Sequence, residues 1–130
     1  MNRYLMVMLG AALGGLGRYL VGTAILQRFN ARFPENVFPI GTLVVNVTGC
    51  FAIGVLMTLF VDRGDPNPNL RLLLVTGVLG GYTTFSAFSL DAALLYERGE
   101  FLGMALYVGG SVALALVGVF SGLAVMRALS

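Results

Sequence analysis

Apolar residues fill four stretches of the chain, at about 4–26, 40–61, 70–96 and 101–125. Each meets or exceeds the roughly 20 residues that a helix needs to cross a bilayer. The pattern predicts an all-α membrane protein with four transmembrane helices in one domain spanning 1–130. Within the spans the polar and small residues keep helical spacing. Gly10 and Gly14 in the first span, and Gly118 and Gly122 in the fourth, form small-xxx-small pairs that let another helix approach closely. In the second span Thr42, Asn46 and Cys50 recur every four residues, with Gly49 beside them, so one face of that helix is built to meet something other than lipid. Residues 27–39 carry Arg28, Arg32, Glu35, Pro34 and Pro39 and read as a loop. Residues 62–69 (D-R-G-D-P-N-P-N) read as a turn-rich connection, and 97–100 (E-R-G-E) as a tight link making the last two spans antiparallel neighbours.

The third span departs from the pattern. Residues 76–91 read T-G-V-L-G-G-Y-T-T-F-S-A-F-S-L-D, packing glycine, threonine and serine between two phenylalanines. Irregular backbone at membrane depth is tolerated where it is buried in protein or lines a wet cavity, so the stretch predicts a broken transmembrane helix with an ion or small solute as the reason for the break.

Composition agrees. Of 130 residues 58% are hydrophobic and 11% charged, and the mean hydropathy is +0.89; no stretch remains for a soluble catalytic domain. The apolar run after Met-Asn-Arg continues too far for a cleaved leader and is read as a retained first span. The net charge of +2 is spread over single arginines and forms no patch for nucleic acid. With one cysteine and no histidine, neither an intrachain disulfide nor a transition-metal site of the usual kind is expected. No nucleophile is paired with a base and no phosphate loop is present, so no catalytic residues are expected and the chain is not read as an enzyme.

The candidate chemistry is that of binding without trapping. A mid-membrane amide such as Asn46 must be hydrogen-bonded; a simple interhelical tie would contribute only about 0.6 kcal/mol, and with Thr42 on the same stripe a functional role is preferred. Phe85 and Phe88 stand three apart, interleaved with Thr83, Thr84, Ser86 and Ser89. Ring edges and hydroxyl donors together offer an anion several weak contacts and no full positive charge. Gly80, Gly81 and Thr83 either expose carbonyls to a hard cation such as Na+ or simply allow close packing. Arg18, costing about 2.5–3.5 kcal/mol or more at the bilayer centre, either pairs with Asp91 or stands in a wet vestibule, which is preferred. Tyr107 and Ser111 place two hydroxyls on one face of the fourth span, where local packing bonds are the plain alternative.

Orientation signals nearly cancel. With four spans, one side collects Arg3, Arg63, Arg71 and Arg127 and the other Arg28, Arg32 and Arg98. A tally of four against three implies insertion both ways round, and hence an antiparallel homodimer in which a second copy takes the place of a fused inverted repeat.

Four motifs carry a family resemblance: G-G-L-G-R-Y ending at Arg18 and Tyr19, G-T-L-V-V-N-V-T-G at 41–49, G-V-L-G-G-Y-T-T-F-S-A-F-S at 77–89, and Y-V-G-G-S at 107–111. Over essentially its whole length the chain resembles the Fluc (CrcB) fluoride channels of bacteria. The resemblance implies a multi-pass protein of the cytoplasmic (inner) membrane and a dual-topology homodimer with two fluoride pores beside the dimer interface. Phe85 and Phe88 would then be pore-lining rings and Asn46 the pore amide, with Thr42, Ser86, Tyr107 and Ser111 along the pathway. Arg18 would stand near a vestibule, and the Gly80 and Thr83 carbonyls of both subunits would bind a structural Na+. Asp91 stands where glutamate is the more frequent acid. The implied role is passive export of fluoride that entered as HF and lost its proton in the cytoplasm, giving fluoride resistance.

Two rivals remain. A small dual-topology, proton-coupled exporter would want an acid mid-way along the first span, where this chain has Arg18. A non-transporting assembly protein, held together by the Gly10/Gly14 and Gly118/Gly122 faces, gives no reason for the broken third span.

Overall fold

A computed structural model describes residues 2–64 and 67–130; Asp65 and Pro66 of the expected turn-rich connection lie outside the described residues. Among the described residues the structure is all-helical, without strands. Helix α1 spans Arg3–Arg32 and α2 spans Ile40–Val61. The third span is assembled from α3 (Pro68–Arg71), a π-helical stretch (Leu72–Leu79), α4 (Gly80–Tyr82) and, after a break, α5 (Phe85–Glu97). Helix α6 spans Phe101–Leu129. Four segments, Arg3–Arg32, Ile40–Val61, Pro68–Glu97 and Phe101–Leu129, are long and apolar enough to cross a membrane.

Residues 27–32, expected in a loop, continue α1. A helix of 30 residues is about 45 Å long, well beyond a hydrocarbon core of about 30 Å, so its last turns carry Arg28 and Arg32 past the apolar zone while remaining helical. The stop comes from Pro34, which forces Phe33 out of helical conformation (φ −129°, ψ 79°). Beyond it Asn36 staples the connection: its Nδ2 donates to Asn30 Oδ1 and to the Phe38 carbonyl, and its Oδ1 accepts from Phe38 N–H. At the other tight link Gly99 takes φ +77°, and Glu100 N–H returns to the Leu95 carbonyl at 2.9 Å, closing α5 before α6 starts.

The glycine pairs act inside the subunit. Gly10 and Gly14 seat the third span: a Cβ at Gly10 would lie 2.7 Å from the Gly77 Cα, and one at Gly14 would strike the Val78 carbonyl. Gly81 completes this seam, with the Ala11 backbone oxygen 2.5 Å from where its Cβ would be. Residues 73, 77 and 81 are four apart, and the wider winding of the π stretch keeps them along one line facing α1. Gly118 and Gly122 seat α2 against α6: a Cβ at Gly122 would strike the Phe51 carbonyl, and one at Gly118 would lie 3.0 Å from the Val47 oxygen. Two glycine seams therefore hold α1 to the third span and α2 to α6.

Candidate anion pathway

The break falls at Thr83 and Thr84, both extended (ψ 155° and 119°), inside the stretch 76–91 whose composition predicts it. Gly80 and Gly81 remain helical because Gly81 is needed for contact with α1. What opens the backbone is Asn46. Thr84 N–H, which a continuous helix would direct to the Gly80 carbonyl, donates instead to Asn46 Oδ1 at 2.7 Å. Asn46 Nδ2 donates in return to the Thr84 carbonyl at 3.0 Å. One side-chain amide thus satisfies both polar groups of one extended residue.

Neighbouring groups extend the template. Thr84 Oγ1 caps α5 by accepting from Ala87 N–H, a donor that would otherwise go to the Thr83 carbonyl. Gly49, one turn from Asn46 on α2, leaves room for the Thr83 methyl group; a Cβ there would overlap it. Thr48 bonds the Tyr82 hydroxyl at 3.0 Å. Three consecutive residues, 82 to 84, are therefore placed by α2.

Two cavities meet at this point. One, of about 330 Å³, is lined by Asn46 and Cys50 of α2, Thr83 and Thr84, Phe85 and Phe88 of α5, and Ser111, Val112, Ala115 and Leu116 of α6. The other, of about 600 Å³, is lined by Arg18, Thr42, Thr84 and Asp91 among others. Thr84 belongs to both. Tyr107 provides a second link. Completely buried, it stacks on Phe88 (centroids 5.3 Å apart) and donates its hydroxyl to Asp91 Oδ2 at 3.0 Å. Phe85 and Phe88 lie 5.4 Å apart, and Phe38 meets Tyr107 edge-on at 5.5 Å, giving the aromatic series Phe85, Phe88, Tyr107, Phe38.

The candidate residues are thereby sorted. Asn46, Phe85, Phe88 and Ser111 share the smaller cavity, while Thr42 and Arg18 line the larger. Arg18 and Asp91 share a cavity without an ion pair between them, and Asp91 is engaged by Tyr107, so the expected alternative of a direct Arg18–Asp91 pair is not what the structure holds. Ser86 is exposed and bonds Thr84 Oγ1 at 3.3 Å; it borders the break without lining either cavity. Ser111 is 6% exposed, and its hydroxyl, facing the smaller cavity, has no hydrogen-bond partner. Gly80 lies on the outer surface, apart from both cavities. Sequence reasoning missed Phe38, Thr48 and Tyr82; the spacing of Thr48 two residues from Asn46 put it on another face and left no signal.

The surfaces in these cavities are largely apolar, interrupted by threonine and serine hydroxyls and the Asn46 amide, with Arg18 and Asp91 together in the larger one. They can replace part of an anion's hydration and do not trap it. A four-span helical bundle with such a passage belongs to the class of membrane proteins that move small ions. Residues 5–123 match the model of the family described as CrcB-like protein, Camphor Resistance (CrcB). The chain is 53% identical over 125 residues, 96% of each chain, to the fluoride-specific ion channel FluC of Rhizobium etli (strain CIAT 652). It is 50% identical, over the full length of both, to the protein of that name in Rhizobium johnstonii, and 51% identical to that of Solibacter usitatus over 96% of this chain and 98% of the relative. The chain belongs to the CrcB-like family.

If Asn46 holds the break, its removal exposes Thr84. In Asn46→Ala the Thr84 amide is expected to exchange with solvent deuterium about 10- to 100-fold faster, the equivalent of about 1–3 kcal/mol for a buried backbone pair left unsatisfied. Hydrogen exchange read by mass spectrometry on peptides covering 82–88 measures it, and unchanged protection would show that another group holds this backbone.

Proposed function

We propose that this chain is a passive fluoride-selective anion channel, with no enzymatic activity, that lets cytoplasmic fluoride leave across the bacterial inner membrane. The observation that carries the reading is the clamped break, which puts Phe85, Phe88 and the unpartnered Ser111 hydroxyl around one cavity beside Asn46. The names of relatives at about 50% identity over the whole chain point to the same ion.

In this reading an anion enters the wider cavity near Arg18, whose charge raises its local concentration. It moves past Thr42 and Thr84 toward the rings of Phe88 and Phe85 and the Ser111 hydroxyl. Asn46 commits its Oδ1 and one of its two Nδ2 hydrogens to Thr84, so it positions the break, and its second N–H stands at the cavity beside the hydroxyls and ring edges that meet the ion.

The functional unit is an antiparallel, dual-topology homodimer. Phe85 is 78% exposed in the single chain, and Gly109 and Gly110 have open space where a Cβ would be, so a second copy supplies what closes the passage. The Gly80 and Thr83 carbonyls are hard oxygen donors whose usual helical partners are directed elsewhere, Thr84 N–H to Asn46 and Ala87 N–H to Thr84 Oγ1. They fit a structural Na+, shared between the two copies, which would fix the break from its other side.

The rivals fare worse. The Gly10/Gly14 and Gly118/Gly122 faces are consumed within the subunit, which removes the surface that a scaffold reading needs. A proton-coupled carrier needs a mid-span acid, and Asp91 is tied to Tyr107 near the end of its span.

Purified protein in liposomes, monitored with fluoride and chloride electrodes, tests the reading. Rapid voltage-driven fluoride efflux is expected without chloride efflux, together with a loss of about 10-fold or more in Phe85→Ile, a ring contact amounting to about 1.4 kcal/mol or more in the pathway. No efflux, or efflux only against a proton gradient, would remove the channel reading. Replacing Na+ by a large organic cation throughout purification is expected to lower dimer stability and flux together; indifference of both would remove the cation site.

A further inference from the structure

The single thiol of the chain stands in the lining of the smaller cavity of the proposed pathway. Cys50 follows Asn46 by one turn of α2 and lines the same 330 Å³ cavity as Phe85, Phe88 and Ser111. On its other side α6 passes at packing distance, since a Cβ at Gly118 would lie 3.6 Å from the Cys50 Cβ. The thiol is half-buried and free of any disulfide.

A thiol surrounded only by hydrocarbon would be inert. This cavity is different because it also holds the Ser111 hydroxyl, 6% exposed and without a protein partner. A buried hydroxyl in that state calls for a polar guest, so the cavity is one that water or an ion enters. Water beside Cys50 supplies what thiol chemistry needs, an acceptor for the Sγ proton and solvation for a leaving group.

We propose that Cys50 is a covalent modification site within the anion pathway, open to small thiol-directed electrophiles and able to close the passage reversibly. The inference rests on the channel reading above. With methyl methanethiosulfonate the Sγ–H proton passes to water and Cys50 Sγ attacks the sulfenyl sulfur. A Cys50–S–S–CH3 disulfide forms, the reagent's S–S bond breaks, and methanesulfinate leaves with the electron pair. The added group takes up volume in the cavity that Asn46, Phe85 and Phe88 line. A thiol reductant reverses the step by exchange.

The test uses the full-length protein reconstituted in liposomes, treated with methyl methanethiosulfonate and followed by intact mass and fluoride efflux. One adduct is expected, at Cys50, with efflux lowered about fivefold or more and restored by dithiothreitol. Cys50→Ala and Cys50→Ser, each compared with its own untreated rate, are expected to be insensitive. Absence of an adduct under conditions that label the detergent-unfolded protein would overturn the proposal. So would an adduct that leaves efflux unchanged, which would place the thiol off the pathway while leaving the channel reading intact. Untreated protein that carries no fluoride at all would remove the channel reading, and this inference with it, whatever the mass shows.

Discussion

Irregular backbone inside a bilayer survives only if its N–H and C=O groups find partners, and at Thr84 one side chain meets that demand. The Asn46 amide accepts from and donates to Thr84, so the third span can stop being a helix without leaving either group bare. Everything else at the site depends on this exchange. It frees the first turn of α5 to start anew at Phe85, places Phe85 and Phe88 at one cavity, and leaves Thr84 in the lining of both.

The glycine seams make the exchange geometrically possible. Gly10, Gly14, Gly77 and Gly81 bring α1 and the third span to backbone contact, and Gly54, Gly118 and Gly122 do the same for α2 and α6. Gly41, where a Cβ would strike the Gly22 carbonyl, brings α2 to α1 as well, and so puts the short Asn46 side chain within reach of Thr84 on the span that α1 holds. Gly49 serves the same end locally by admitting the Thr83 methyl group. Small residues in this bundle therefore control where polar chemistry is placed, as well as how tightly helices pack.

The architecture was legible in the sequence because length and hydropathy alone decide whether a helix can span a bilayer. Four apolar stretches became four spans, and the polar stripe of α2 did face the break. Boundaries were less legible. Residues 27–32 read as a loop because charge marks the edge of the membrane and not the end of a helix, which only Pro34 imposes. The break lies inside the stretch 76–91 where the composition put it, but the use of the glycines there was left open, because a glycine signals both exposed carbonyls and close contact, and only the position of α1 shows that Gly81 serves contact. The Tyr107–Asp91 bond, the Thr48–Tyr82 bond and the edge contact of Phe38 join residues 16 to 69 positions apart, beyond the reach of helical periodicity.

In the proposed channel, permeation depends on a backbone conformation held by the Asn46 amide. The initial fluoride efflux rate of Asn46→Ala in liposomes, measured on protein that elutes as the wild type does, tests this most directly. A fall of about 10-fold or more, matching the loss of one buried hydrogen-bonded pair of about 1.4 kcal/mol or more, is expected. Efflux at the wild-type rate would contradict the account, because the passage would then form without the clamp on Thr84.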